Sequence, residues 1–326
     1  MCAKRASGFP GAVGSGSVID VLFHPDCLLH ETGAHPERAE RVVVCRAAIA
    51  GSDLGVRLEE PDVAVEEEQL EWVHSPEHIK RVEEAVRLAP SFLDPDTPVS
   101  RGSLQAARRA AGLAVEAVRR VVSGTVKHVF CLIRPPGHHA TRNQAMGFCL
   151  FNNVAIAAAW CRRVGSVERV LIVDFDVHHG NGTQDIFYRD GSVMFFSIHR
   201  YPFYPGTGSA SEVGAGPGEG FTMNVPVRFG TPATEYLGLF RRHVEQAAAK
   251  ITPEIVLVSA GFDGHRNDPI GGLGLNDEDY RRIGESVAEL ADRYCNGKMV
   301  SILEGGYSLR DLGDSLVAYL RGTGGA

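Results

Sequence analysis

Asp174, Asp176 and His178 stand two residues apart, directly after the apolar run Val170-Leu171-Ile172-Val173. In an extended chain, residues i, i+2 and i+4 line one face, so Asp176 and His178 can point at one metal ion with Asp174 behind them. Asp263, in Ser259-Ala260-Gly261-Phe262-Asp263, ends another apolar run and is the candidate third ligand. Two carboxylates and one imidazole suit zinc, with a position left for water. The plainer alternative is that the aspartates cap a loop and His178 packs in the core. Two carboxylates closing a run of Val, Leu and Ile need a compensating partner, however, and a metal ion is the best one available.

Two further segments carry acid–base and hydrogen-bonding chemistry. His138-His139 follows Arg134-Pro135-Pro136-Gly137, a stiff turn that aims the next side chains. Adjacent imidazoles perturb each other's titration, which suits acid–base work near neutral pH. A tandem histidine can also be a metal site or a surface accident; its place at a strand end favours catalysis. Tyr307 follows Glu304-Gly305-Gly306. The two glycines let the backbone turn sharply and approach a ligand, and the Tyr307 hydroxyl could donate to a developing oxyanion. An ordinary core tyrosine after a turn competes on even terms. Gly147, Phe148, Tyr204 and Ile270 are candidate walls of an apolar channel, against the default of core packing.

The elements that must position these residues are legible as an alternation. β-rich apolar runs occupy 18–23, 128–133, 170–175, 193–197, 255–259 and 299–303. Helical patterns occupy 76–88, 103–122, 153–164, 234–249, 277–294 and 312–320, with Ser103 and Asp277 as expected N-caps. Nearly continuous apolar strands alternating with helices predict a parallel sheet covered on both faces. Five of the six strands run into polar segments, the fifth being Ser197-Ile198-His199. Ligands bind outside the carboxyl ends of such strands, so these segments are expected around one crevice. The Gly-rich stretch 206–220 reads as a long surface loop that borders the site or mediates contacts.

The chain has 326 residues, 44% hydrophobic and 22% charged, with a formal net charge of -7. This is an ordinary globular composition with a core large enough to need no staples. Its charge argues against nonspecific nucleic-acid or acidic-membrane partners. No apolar run approaches the ~18 residues of a membrane helix. Residues 1–17 lack the apolar centre of a signal peptide and read as a loose tail before one domain at 18–322. Seven scattered cysteines with no CxxC pair point to a reduced, cytoplasmic setting.

The motifs together resemble the zinc-dependent histone deacetylase family, closest to its class II-like and bacterial amidohydrolase-like members. The segments that carry the resemblance are HPER (35–38), WVHSPEHI (72–79), RPPGHHA (134–140), GFCLFNN (147–153), VDFDVHHGNGT (173–183), YPGTG (204–208), SAGFD (259–263) and EGGY (304–307). They run in the family's order over roughly residues 18 to 320. The resemblance implies one α/β domain of the arginase/deacetylase type, with a mainly parallel eight-stranded sheet and helices on both faces. It implies Zn2+ on Asp176, His178 and Asp263, His139 as general base and acid beside His138, and Tyr307 as donor to the substrate carbonyl. It further implies a monovalent-cation site, usually K+, at Asp174, Ser197 and the backbone carbonyls of Asp176, His178 and Ile198, with a second near Phe187. Asp94 sits near the family's substrate-holding aspartate, with Asp96 as competitor. Asn181 occupies a position that holds aspartate in class I members, where a carboxylate would stabilise the imidazolium of His139 more than an amide does.

The expected reaction is hydrolysis of an N-acyl amide, with an acyl-lysine protein or peptide as substrate. An acetylated small amine such as a polyamine is the rival. Some polyamine enzymes place an acidic residue after the Asp-Pro that follows the last zinc ligand; here Asp268-Pro269 is followed by Ile270. An arginase-like pair of manganese ions would need carboxylates where Gly180 and His265 stand. A noncatalytic acyl-lysine binder is disfavoured because Tyr307, both histidines and all three candidate ligands are present.

Overall fold

The computed structural model describes residues 18–324; the tail expected over 1–17 lies outside the described residues. The apolar runs form the strands β1 (Ile19–Leu22), β5 (His128–Cys131), β6 (Val170–Asp174), β7 (Val193–Arg200), β9 (Ile255–Ala260) and β10 (Met299–Leu303). Two further strands of the main sheet carry no such signal: β2 (Val56–Glu59) and β8 (Thr222–Val227). With them the sheet has eight strands in the order β2-β1-β5-β10-β9-β6-β7-β8, and every pair is parallel. The missed strands are its two edges. β2 exposes Arg57 and Leu58, and β8 carries Pro226. Charge and proline are the usual guards of an open edge, and they erase the apolar pattern that marks a central strand.

Helices α1 (Glu40–Gly51), α2 (Glu67–Glu71), α3 (Pro76–Arg87), α4 (Ser103–Val122), α5 (Asn153–Arg163), α6 (Asn181–Phe187), α7 (Ala233–Ile251), α8 (Asp277–Cys295) and α9 (Leu312–Gly322) complete the chain with the hairpin β3 (Ser91–Asp94) and β4 (Thr97–Val99). α4 and α5 pack together against the central strands, while α7, α8, α9 and α1 form the other layer. The seam on α4 is a stripe of Ala106, Ala107, Ala110, Ala111, Ala114 and Ala117, all buried, whose small side chains let the helix lie close to its neighbours.

The N-caps differ from the expected ones by a single residue. Asn276, not Asp277, caps α8: its Oδ1 accepts from Glu278 N at 2.9 Å and Asp279 N at 3.3 Å, and Asp279 returns the contact to Asn276 N at 3.0 Å. Gly102 rather than Ser103 precedes α4, because the Ser103 hydroxyl is buried against His30 Nδ1 at 2.7 Å. No helix among the described residues is long and apolar enough to cross a membrane.

Parallel pairing brings the strand ends into register at one rim. Asp174 lies opposite Ser197 on one side and Ser259 on the other. Three chain segments distant in sequence therefore deliver their polar ends to one place. A buried ionic knot fastens that rim. Glu37 accepts from Arg134 Nε at 2.8 Å and a terminal Arg134 nitrogen at 2.7 Å, and from Arg41 at 3.2 Å; all three residues are almost wholly buried. Arg134 also donates to the carbonyls of Cys27 and His30.

Burial works against ionisation of Glu37, but Arg134 outweighs it and holds the carboxyl down, from 4.5 to about 2. A depressed carboxylate contributes stability that is present above about pH 4.5 and lost as pH falls through about 2. Glu37→Gln would leave two guanidinium groups buried without a counter-charge, at a cost of about 3–5 kcal/mol. Denaturant unfolding at pH 7 measures it, and a variant within about 1 kcal/mol of the parent would refute the knot's role.

Candidate active site

β6 ends at Asp174 and the chain bends over 176–178 instead of staying extended, yet Asp176 and His178 still converge on one site as expected. Asp176, His178 and Asp263 are buried, and their donor atoms all lie within 4.8 Å of one another. His178 Nδ1 is 3.1 Å from Asp176 Oδ1 and 3.0 Å from Asp263 Oδ2. The other carboxylate oxygens are held by backbone: Asp176 Oδ2 accepts from Gly305 N at 2.8 Å, and Asp263 Oδ1 from Val177 N at 2.9 Å. A side chain at Gly305 would strike both carboxylates, which explains the first glycine after Glu304.

One imidazole nitrogen cannot satisfy two carboxylates. Burial and the neighbouring Asp176 push Asp263 up to about 7. Burial also opposes ionisation of Asp176, but His138 and His178 outweigh it and keep that carboxyl ionised. Burial disfavours a charged His178, yet its two carboxylate partners raise it to about 9. A divalent cation would replace this shared proton, and two carboxylate oxygens with one imidazole nitrogen are a donor set that fits zinc.

The tandem histidines are separated in role by their partners. His138 Nδ1 is 3.0 Å from Asp174 Oδ2. Burial alone would keep Asp174 protonated. Burial likewise opposes charge on His138, but Asp174 and Asp176 raise it well above its ordinary value, so the proton belongs on His138. His139 Nδ1 is 2.7 Å from Asn181 Oδ1, and the Asn181 amide nitrogen points to Met146 Sδ at 3.4 Å. The amide oxygen therefore requires an N–H from His139, which leaves Nε2 as a free acceptor. Burial, then His138 and His178, hold His139 well below its ordinary pKa.

Glu304 aims the turn that carries both rings. Its carboxylate accepts from Gly137 N at 2.6 Å, His138 N at 3.2 Å and Ser259 Oγ at 3.1 Å. No role for Glu304 was legible from EGGY alone, although a carboxylate closing an apolar strand is the same signal that marked Asp174.

Asp96, His139, Gly147, Phe148, His178, Phe203, Tyr204, Ile270 and Tyr307 line a channel of about 200 Å³ above this cluster. Gly147, Phe148, Tyr204 and Ile270 thus stand where the channel reading put them, joined by Phe203, which stacks on His178 at 5.1 Å. The adjacency of Phe203 to Tyr204 was the available signal. Gly147 has φ +54°, and a Cβ there would meet the His139 ring. Burial raises Tyr307 well above its ordinary pKa, against the pull of Arg41, so the hydroxyl stays protonated. Of the two rim acids, Asp96 lines the channel and Asp94 does not. Asp94 pairs with Thr97 across the hairpin, with a register shift after Phe92, and Thr97 Oγ1 both contacts Asp96 and accepts from Phe148 N at 3.1 Å. A larger depression of about 700 Å³ lies at the opposite ends of β1, β5 and β10, but it gathers no comparable constellation.

Behind the cluster, Asp174 Oδ1 accepts from Asp176 N at 3.1 Å, and Ser197 Oγ meets His199 Nδ1 at 2.9 Å. Ile198 is buried between Ser197 and His199 on β7. The Gly-rich loop is partly anchored here, not wholly a surface feature. Gly208 is buried, its carbonyl meets His199 Nε2 at 3.0 Å, and Glu212 accepts from Gly208 N and Ser209 N.

Residues 35–323 match the family model described as the histone deacetylase domain. "Histone deacetylase 15" of Arabidopsis thaliana is 39% identical over 96% of this chain, which spans 58% of that protein's length. A "Probable deacetylase" of Archaeoglobus fulgidus is 38% identical over 90% of this chain and 82% of its own length. A "Histone deacetylase-like amidohydrolase" of Pseudomonas aeruginosa is 37% identical over 74% of this chain and 64% of its own. The crystal structure of the HDA15 HD domain superposes with a TM-score of 0.87 at 40% identity, covering 93% of this chain and 90% of that one.

Proposed function

The chain belongs to the histone deacetylase domain family, and on that premise we propose that it is a zinc-dependent amidohydrolase removing acetyl or other acyl groups from lysine side chains. The observation that carries this reading is the buried Asp176–His178–Asp263 cluster opening onto a channel that also presents His139 and Tyr307. Zinc held by those three residues would supply Lewis acidity to the acyl carbonyl and a water of lowered pKa.

The rest of the chemistry belongs to the chain. His139, neutral and donating through Nδ1 to Asn181, offers Nε2 to take a proton from the attacking water. The same nitrogen returns the proton to the leaving amine, so that a carboxylate and a free amine depart. His138, protonated against Asp174, keeps positive charge beside the reacting centre. The protonated Tyr307 hydroxyl donates to the oxyanion as it forms. Asp96 at the channel mouth is suited to hold the substrate's backbone N–H, a role that suits it better than Asp94. K+ behind the cluster, on Asp174, Ser197 and the Ile198 carbonyl, would offset the buried negative charge. The six cysteines among the described residues are buried and free, which supports a reducing, cytoplasmic setting.

The apolar Ile270 in the channel wall favours an acyl-lysine over an acetylated polyamine, whose second ammonium would want a carboxylate there. Ile270→Glu is expected to shift the ratio of kcat/KM for acetylspermidine over acetyl-lysine peptide by about 10-fold or more toward the polyamine. An unchanged ratio would remove Ile270 as a selectivity residue. The test of the function is turnover after zinc loading on acetyl-lysine peptides, longer acyl-lysine peptides and acetylated polyamines, each with a Tyr307→Phe control. Peptide turnover that collapses in the control supports a lysine deacylase. Preference for polyamines replaces the substrate, and absence of turnover on every member refutes the reading.

A further inference from the structure

Gly305 and Gly306 give the chain leading to Tyr307 a looseness that a catalytic hydroxyl cannot tolerate. Gly305 must be glycine because any side chain would strike Asp263 and Asp176, and Gly306 sits at φ +121°. Glycine leaves the backbone many alternative states, so the geometry has to be imposed from outside. Arg41 supplies one hold. Its Nε donates to Gly306 O at 2.6 Å, and its guanidinium carbon lies 4.8 Å from the Tyr307 ring centroid.

Asp268 supplies the opposite hold on the same peptide unit. Its Oδ2 accepts from Tyr307 N at 2.7 Å, while Oδ1 accepts from Ile270 N at 2.9 Å and Gly271 N at 3.0 Å. Contacts to residues two and three positions ahead are an ordinary local turn. The bond to Tyr307, 39 residues away, is not local and serves no turn. Asp268 forms no ion pair among the described residues, so its side-chain hydrogen bonds go to backbone N–H groups. A short bond from a carboxylate is the stronger, charge-assisted kind. The loop so clamped runs from the metal-cluster residue Asp263, to which it returns through Gly272 N to Asp263 O at 2.8 Å.

We propose that Asp268 is a positioning residue for Tyr307, tying the turn that presents the hydroxyl to the loop that carries Asp263 and the channel wall Ile270. The inference rests on the reading of Tyr307 as oxyanion donor. Asp268 forms no hydrogen bond to the metal cluster and does not line the channel, and its most direct link to the reacting atoms is the bond to Tyr307 N. A misplacement of about 1 Å at such a donor costs about 100-fold.

The test uses Asp268→Asn in the full, zinc-loaded chain. Asn keeps the volume and one acceptor for Ile270 and Gly271, but it turns an N–H₂ toward Tyr307 N, which cannot accept. The expected result is kcat on an acetyl-lysine peptide lowered about 10- to 100-fold, with KM within about 3-fold and zinc content unchanged. In a Tyr307→Phe background the same substitution should cost less than about 3-fold, because the hydroxyl it positions is gone. An equal loss in both backgrounds, or no loss in the parent, overturns the inference. Asp268→Ala is the second variant and should lower kcat at least as far. If neither variant folds, Asp268 is a determinant of the fold and the assignment to Tyr307 fails. A Tyr307→Phe rate equal to the parent's would instead refute the oxyanion reading itself.

Discussion

Asp263→Ala is expected to lose zinc and catalysis together. Zinc content should fall from about one equivalent to near zero, and turnover of an acetyl-lysine peptide by at least about 1,000-fold. The reason is the sparseness of the donor set. Among the described residues three side chains converge on the site, and the second oxygens of both carboxylates are already committed to the backbone of Gly305 and Val177. Removing Asp263 leaves Asp176 and His178 as the remaining two donors of the cluster. The metal-free fold should suffer much less. The substitution forfeits the hydrogen bonds to Val177 N and His178 Nδ1, but it also relieves two buried carboxylates that crowd each other. The measurements are metal content by mass spectrometry, kcat/KM, and thermal unfolding with chelator present. Full activity in the variant, or zinc binding undiminished, would sink the assignment of the centre.

Tyr307→Phe separates metal from hydroxyl. Zinc content should stay as in the parent while kcat falls about 100- to 1,000-fold, the range typical of a lost oxyanion donor. KM should change little, because the hydrogen bond strengthens chiefly as charge develops on the carbonyl oxygen. The ring keeps its edge-to-face contact with Phe148 at 5.7 Å and its place against Arg41, so stability should stay within about 1 kcal/mol. A rate within about 3-fold of the parent would show that the hydroxyl has no such role, and the tyrosine would revert to a packed aromatic.

The sequence by itself determined the parts of this protein that depend on local periodicity. Central strands buried on both faces must be nearly continuous apolar runs, so β5, β6, β9 and β10 are visible within a few residues of their observed ends. The i, i+2 spacing of Asp176 and His178 likewise places both on one face before any partner is known. The pairing of Asn181 with His139, 42 residues earlier, was expected only through the resemblance and not from any local period.

Only the tertiary structure decided what depends on distant segments meeting. The edge strands β2 and β8 are strands because a neighbour offers them a ladder, not because their residues demand it. Asp96 stands in the turn of the β3–β4 hairpin and lines the channel, whereas Asp94 ends β3 and does not. The holds on the turn before Tyr307 span 265 residues from Arg41 to Gly306 and 39 from Asp268 to Tyr307. No window of sequence contains both partners of either bond. A carboxylate's local signal is only its type, whereas its partner is set by where the sheet delivers the other strand's end.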